Sequence, residues 1–447
     1  MNLPAAQLEQ ETLVVGLGAT GLSVIRHLLA RGQRVAVTDT RENPPGLAEL
    51  NHIQGAANAW VGSLSTLDPT RWRRLVVSPG VPVSLPGLQA ARAAGSELIG
   101  DIELFARTAR QPVVAITGSN GKSTVTALAG ELLRALGLRT AVGGNLGPPA
   151  LDLLGDDPEV YVLELSSFQL ETTSDLGAAS AAILNISADH LDRYPNMDAY
   201  TAAKMRILQG ARQPVLNRDD ERLRSLSRTC AGTTFGLSPP PQPDAFGVVE
   251  VEGEPWLARG ECALLPTAGL ALHGRHNWLN VLAALALVWP WVDDPRPLLP
   301  VLSTFAGLSH RSQRVRCHDG VEFIDDSKGT NVGATLAAIR GLTGPLVLIA
   351  GGQGKGQDFA PLADALVAKT RGVILLGVDA PQIAQALNGL VPLRFVTSME
   401  EAVSVAAEWA QPGDTVLLSP ACASLDMFSS FAERGERFAR AVRELGT

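Results

Sequence analysis

Cysteine is scarce in this 447-residue chain. Its four cysteines, Cys230, Cys262, Cys317 and Cys422, lie far apart and never form a CxxC. A disulfide-stapled scaffold is thereby excluded, and a reducing compartment is expected. Aromatic residues make up 5% and charged residues 18%, against 46% hydrophobic. The chain can therefore bury ample core, which excludes disorder and collagen-like structure. Long apolar runs are also missing: Val281–Val292 is interrupted by Pro290, and no basic-then-apolar leader opens the chain. No bilayer span is expected from these features, and a soluble cytoplasmic protein is. Basic residues are outnumbered 37 to 45, a net charge of −8. That argues against a general affinity for nucleic acid or an anionic membrane.

Lysine is rarer than its charge class suggests. Of 37 basic residues only Lys122, Lys204, Lys328, Lys355 and Lys369 are lysines. Random survivors of a compositional bias are the plain explanation. The other is that each remaining amine does something a guanidinium cannot.

What the chain does have is alternation of strands and helices, the mark of an α/β fold with parallel sheets. At about 150 residues per domain, its length suggests roughly three domains. Thr12–Val15, Arg34–Thr38 and Leu75–Val77 read as strands, with a helix to Leu29 after the first. A second unit begins at Pro112-Val-Val-Ala-Ile116, with a helix Val125–Leu136 and strands at Tyr161–Leu165 and Ala181–Ile186. A hairpin is expected at Gly247–Val251 and Trp256–Ala258, turning at Glu252-Gly-Glu-Pro255, and a helix at Trp278–Val288. A third alternating region has strands at Val321–Ile324, Leu346–Ile349, Gly372–Leu376, Arg394–Val396 and Thr415–Leu418. Boundaries near 100 and 306 give units 1–100, 101–306 and 307–447.

Gly16-Leu-Gly-Ala-Thr-Gly21 follows a strand and opens a helix, and Asp39 ends the next strand. Glycines there let a phosphate approach the backbone and the helix N-terminus. Alone, this spacing suggests NAD with Asp39 on a ribose, and which nucleotide binds stays open. Thr117-Gly-Ser-Asn-Gly-Lys-Ser-Thr124 is a second glycine loop between strand and helix. Its N–H groups can cradle phosphates, Lys122 can reach the β/γ oxygens and Ser123 can ligate Mg²⁺. The first glycine of a strict GxxxxGK would fall at Ile116, so the loop is a shortened variant. Gly118, Ser119, Asn120, Gly121, Lys122, Ser123 and Thr124 are expected to hold ATP.

Glu164, on a buried strand beside that loop, can hold Mg²⁺ or be satisfied by local hydrogen bonds. His190 lies past the end of another strand, the edge where ligands gather in open α/β sheets, and Lys204 follows on a helix. His273 and His276 are separated by a glycine and form a poor metal pair, whereas Asn277 and Asn280, spaced i,i+3, can grip a purine or ribose. Gly307-Leu-Ser-His-Arg311, Asp325–Asn331, Gly351–Lys355 and Leu418–Phe428 bring two lysines and several hydroxyls to loops. That is the make-up of a site for an anionic substrate closing over ATP. Four of the five lysines now lie in or beside motifs; Lys369 is the exception.

The strings TGSNGKST, GGNLG, ELSSFQLE, DHLDRY, GRHN, HR, DDSKGTN and LLSPACASLDMF occur in this order along the whole chain. Together they resemble the Mur ligases, and GxGxxG followed by DTRENPP points to the D-glutamate-adding members. The resemblance implies a Rossmann-like UDP-binding domain, a central P-loop-type ATPase domain with a parallel sheet, and a C-terminal Rossmann-like amino-acid domain. It also replaces NAD by uridine diphosphate at the first glycine loop. It implies ATP-dependent ligation of D-glutamate to UDP-N-acetylmuramoyl-L-alanine through an acyl phosphate; separately, a monomer without membrane insertion is expected.

By the same resemblance, Ala19, Thr20, Thr40, Arg41 and Gly80 hold the UDP part, and Asn145 and His190 the muramoyl part. Asn277, Asn280, Arg311 and Asp326 join the glycine loop around ATP. Lys328, Thr330, Lys355, Ser424, Leu425 and Phe431 bind glutamate. Ser123 and Glu164 hold one Mg²⁺, and His190 and Lys204 a second, with Lys204 carbamylated; Lys122, His190 and Lys204 are the catalytic set. Two departures stand out: Ser312-Gln313 where an aromatic and an acid are common, and Gln353 where aspartate is common. Another Mur-type or folylpolyglutamate-type carboxylate–amine ligase is the nearest alternative, and DTRENPP argues against it. A nicotinamide oxidoreductase has no need of the second glycine loop. A non-catalytic nucleotide-binding regulator has no need of Glu164, His190 and Lys204.

Overall fold

The computed structural model describes residues 12–56, 59–155, 157–191, 193–272, 274–342 and 344–446. His273, half of the histidine pair, lies outside the described residues, as does Asp192 of the DHLDRY string.

Three sheets carry the fold. β1 (Thr12–Val15), β2 (Val35–Asp39), β3 (Trp60–Ser63), β4 (Arg74–Val77) and β5 (Glu97–Ile99) form a parallel sheet in the order β3-β2-β1-β4-β5. Every residue of β1 and β2 is buried, as strands covered on both faces must be. The strand order reverses beside β1, and there Ser78 Oγ donates to the Gly16 carbonyl at 3.1 Å. The helix Ala19–Ala30 starts at this switch point and packs tightly. A Cβ at Gly21 would lie 2.0 Å from the Gly16 carbonyl oxygen.

The central sheet runs β14-β13-β12-β11-β10-β9-β6-β8-β7. Its members are β6 (Val113–Thr117), β7 (Thr140–Gly144), β8 (Val160–Glu164), β9 (Ser180–Ile183), β10 (Gln213–Asn217), β11 (Thr233–Phe235), β12 (Phe246–Val251), β13 (Glu254–Arg259) and β14 (Cys262–Pro266). It is parallel from β7 to β12 and antiparallel beyond. The expected hairpin is present but tighter. Glu252 and Gly253, both at positive φ, make the turn alone, while Glu254 and Pro255 belong to the strand. The helices Lys122–Ala135 and Arg275–Val288 cover one face, and the second contains most of the apolar run noted above, which leaves the helix after Val288.

The third sheet, β15-β16-β20-β17-β18-β19, comprises β15 (Gln313–His318), β16 (Val321–Asp325), β17 (Leu346–Gly351), β18 (Thr370–Leu376), β19 (Leu393–Phe395) and β20 (Thr415–Leu418). Only β15 is antiparallel to its neighbour.

The apolar clusters are unevenly shared. One runs from Val14, Leu17 and Leu28 of the first sheet layer through Phe105 to Tyr161, Leu163 and Tyr200 of the central one. Those of the third layer contain no residue from the other two. Among the described residues, no helix is long and apolar enough to cross a membrane.

Candidate active site

β6 ends at Thr117, and the chain turns through Gly118 and Gly121, both at positive φ, into the helix that begins at Lys122. Asn185 fixes this loop: its carbonyl accepts from Ser119 N at 2.9 Å and its side-chain oxygen from Asn120 N at 2.8 Å. Tyr200 lies behind, its hydroxyl 3.1 Å from Ser119 Oγ. Gly121 must be small, since a Cβ there would sit 2.4 Å from Asn280 Oδ1.

Two of the rare lysines meet at one oxygen. Lys122 Nζ donates to the carbonyls of Gly118 (2.8 Å) and Ser119 (2.9 Å), and Lys204 Nζ donates to the same Gly118 carbonyl at 2.8 Å. Lys204 is 2% exposed and lies 4.6 Å above the Tyr200 ring. Burial, and then the charge of Lys122, pull the Lys204 amine well below its usual value. Burial lowers Lys122 too, opposed by the negative charges of Glu164 and Asp189.

Glu164 is buried at the end of β8, with Oε1 accepting from Asn145 Nδ2 at 2.5 Å. Its Oε2 is buried without a protein partner. His190 sits at φ +56°, edge-on to Phe168 with centroids 4.8 Å apart, and burial lowers its pKa. The neighbouring Asp189 accepts from the His190 backbone N–H at 3.0 Å.

The third sheet layer supplies the facing wall. Arg311 Nη2 donates to Ser123 Oγ at 2.5 Å. Asp326 accepts from Ser419 Oγ (2.7 Å) and Ser312 N (3.1 Å), and its burial pushes its pKa up to about 7. Lys328 Nζ lies 4.2 Å over the Phe431 ring, and burial lowers it to about 8. Non-glycine residues at positive φ gather here: His190, Ser312 and Lys355 line the cavity, a pattern typical of sites that store backbone strain.

These walls enclose a cavity of about 510 Å³. Of the residues expected around ATP, Ser119–Thr124, Asn277, Asn280, Arg311 and Asp326 line it, with Gly118 just behind; Glu164 and Lys204 line it too. From the glutamate set Lys328, Thr330, Lys355 and Phe431 line it, but Ser424 and Leu425 do not. Ser424 is buried elsewhere and Leu425 is 68% exposed. A second, mostly apolar hollow of about 250 Å³ adjoins Asn280 and His276 and is walled by Leu184, Phe235 and Leu279.

Ala19, Thr20, Thr40, Arg41 and Gly80 line neither hollow; they gather at the C-terminal edge of the first sheet, and Asn145 and His190 alone of the UDP-substrate set reach the large cavity. Asp39 is committed within the protein, which corrects its reading as a ribose ligand. Its carboxylate accepts from Leu17 N (2.7 Å), Arg41 N (2.9 Å) and the Arg41 guanidinium (2.8 and 2.9 Å). Burial alone would raise Asp39, but those donors outweigh it and hold it near 2. The departures at 312, 313 and 353 are absorbed locally. Ser312 meets Asp326 through its backbone, Gln313 Oε1 accepts from His310 N at 3.1 Å, and Gln353 pairs with the Ala423 backbone.

Sequence reasoning left several residues unassigned. Asn331 bridges to Asn120 and Asp189, and it was visible only as the last letter of DDSKGTN. Arg434, 1% exposed, binds Ser327 Oγ (3.0 Å) and the carbonyls of Ser327 (2.8 Å) and Cys422 (3.1 Å), tying two loops together. Nothing in its helix marked it as buried.

The three layers match three family profiles in order. Residues 10–100 match "Mur ligase MurD-like, N-terminal domain", residues 116–288 "Mur ligase middle domain" and residues 310–422 "Mur ligase, glutamate ligase domain". The chain belongs to the Mur ligase family. Mur ligases are ATP-dependent enzymes that use Mg²⁺, so the glycine loop at 117–124 is at home here. A relative from Hahella chejuensis, named UDP-N-acetylmuramoylalanine–D-glutamate ligase, is 50% identical over 442 residues, 98% of this chain and 99% of its own. One of the same name from Pseudomonas aeruginosa is 53% identical over 440 residues, 97% and 98% of the two chains. The fold is shared more widely. A pseudomurein peptide ligase type C from Methanothermus fervidus superposes with TM-score 0.61 at 18% identity, covering 97% of this chain and 100% of its own. UDP-N-acetylmuramate-alanine ligase MurC from Thermotoga maritima does so at 0.59 and 20%, covering 97% and 99%.

Proposed function

We propose that this Mur ligase joins D-glutamate to UDP-N-acetylmuramoyl-L-alanine, with ATP cleaved to ADP and phosphate, in cytoplasmic peptidoglycan precursor synthesis. One observation carries the reading: the phosphate loop faces Lys328, Thr330 and Lys355 across a single cavity, in a chain half identical over its length to ligases of that name. The unit boundaries at 100 and 306, and action as a monomer, belong to the same proposal.

A carboxylate is a poor electrophile because oxide is its leaving group. An oxygen of the terminal alanine carboxylate attacks the γ-phosphorus of ATP, ADP departs and an acyl phosphate forms. The amine of D-glutamate then attacks the acyl carbon, the tetrahedral intermediate expels phosphate, and the amine's proton is lost. Lys122, at the start of its helix, stabilises charge on the transferring phosphoryl group. Arg311 reaches the same place through Ser123. Asn277 and Asn280, joined by a 3.0 Å hydrogen bond, face the nucleoside. Lys328 and Lys355, with Thr330 and Phe431, receive the glutamate, and Ser424 and Leu425 would reach it only after a local movement. The UDP moiety lies on the first sheet's edge against Ala19, Thr20, Thr40, Arg41 and Gly80.

The residues present suit Mg²⁺. Among the described residues no group of three His, Cys, Asp or Glu side chains is built to hold a metal, and Mg²⁺ characteristically takes only one or two protein carboxylates beside phosphates and water. The unpartnered buried Oε2 of Glu164 is such a ligand, with Ser123 beside it. His190 and Lys204 would serve a second ion. Bound Mg²⁺ supplies charge neutralisation to the phosphoryl oxygens. Lys204, buried and biased toward the neutral amine, is the form that adds CO₂, with loss of one proton, to give an anionic carbamate.

ADP release tests the reading. It should require UDP-N-acetylmuramoyl-L-alanine and D-glutamate together. Release supported by another amino acid and not by D-glutamate would overturn it.

A further inference from the structure

We infer that Asn331 is a latch through which docking of the C-terminal layer aligns the phosphate loop with the His190 turn. Its activity readouts rest on the proposed ligase reading. The Asn331 side chain, 4% exposed, does three things at once. Its Oδ1 accepts from Ala334 N at 2.8 Å and so caps the helix Val332–Gly341. Its Nδ2 donates to Asn120 Oδ1 at 3.2 Å and to Asp189 Oδ2 at 3.1 Å. Asn120 Nδ2 returns toward Asn331 Oδ1 at 3.5 Å.

Both partners are placed to pass this contact on. Asn120 lies in the phosphate loop, two residues before Lys122. Asp189 holds the backbone N–H of His190 with its other oxygen, and His190 sits in the left-handed region, where it stays only if its surroundings impose it. No apolar cluster crosses between the C-terminal layer and the rest among the described residues, so polar contacts such as this one carry the docking. The residue type follows. Aspartate can cap the helix but cannot donate, and serine can cap but is too short to reach. Asn331 is thus a positioning residue.

Asn331→Asp and Asn331→Ser both keep the cap; Asn331→Ser should melt close to the parent protein, whereas Asn331→Asp sets a carboxylate against Asp189 and should melt lower. Their kcat should fall roughly ten- to hundredfold, the loss of about two such hydrogen bonds, while KM for the UDP substrate stays within about threefold. A normal kcat, or an effect on KM alone, would overturn the latch. Hydrogen exchange at 118–122 and 187–191 reads it without turnover: faster in both variants if the latch is real, unchanged if it is not. If the parent enzyme lacked the proposed ligase activity, that second measurement would still decide.

Discussion

At the scale of single residues, Lys204 bears the heaviest chemical constraint. Its amine shares the Gly118 carbonyl with Lys122 and is nearly sealed from water, so two ammonium charges there are costly. A carbamate reverses the sign and offers Mg²⁺ oxygens. Lys204→Ala should lose most activity and regain part of it with a small carboxylate in solution. Lys204→Arg should be equally impaired, and near-normal turnover of that variant would refute the carbamate. Asp326 gives a second test. Its value is raised from 3.8 to about 7, chiefly by burial, so the folded protein keeps a proton that the unfolded chain has released. The stabilisation is complete below pH 4 and is lost as pH rises toward 7. Asp326→Asn should flatten that part of the stability–pH curve in urea titrations; an unchanged slope would contradict it. Lysine scarcity made much of this legible beforehand: four lysines line the cavity, and Lys369 instead binds the Leu342 carbonyl at 2.6 Å. Asn331 and Arg434 were not legible, because their roles depend on partners far away in sequence.

Elements were readable where burial is two-sided. β1, β6, β8 and β17 are apolar at nearly every position and stood out as strands. β3 and β7 are mostly half-buried and β15 is an edge strand of mixed polarity, so no long apolar run announced them, while β14 is apolar but only five residues long, partly exposed and ended by proline. The helix after the phosphate loop begins at Lys122, three residues before its hydrophobic period, because its first turn is polar and faces the cavity. The first glycine loop is packed more tightly than the phosphate loop. Gly21→Ala would drive a Cβ into the Gly16 carbonyl and should destabilise by about 1–3 kcal/mol while weakening UDP-substrate binding. Urea unfolding and a binding titration check both; a parent-like midpoint would show that the turn can relax.

At the scale of the whole molecule, reactants must meet across layers. The phosphate loop lies at 117–124 and the residues proposed to receive glutamate lie beyond 306, and the proposed acyl phosphate must be kept from water. The docked arrangement, with Arg311 on Ser123 and Asn331 on Asn120, should therefore become dominant when ATP and the UDP substrate are both bound. Small-angle scattering should register the change, and identical profiles with and without both ligands would count against it. The apolar cluster from Val14 to Tyr200 has a further consequence. Three sheets do not make three folding units. The first two layers share one interior and should gain or lose structure together, while the third, with its own clusters, should unfold separately. A packing defect near Leu17 is thus transmitted to the floor under Tyr200 and the ATP loop, whereas one near Ile374 stays in the C-terminal layer.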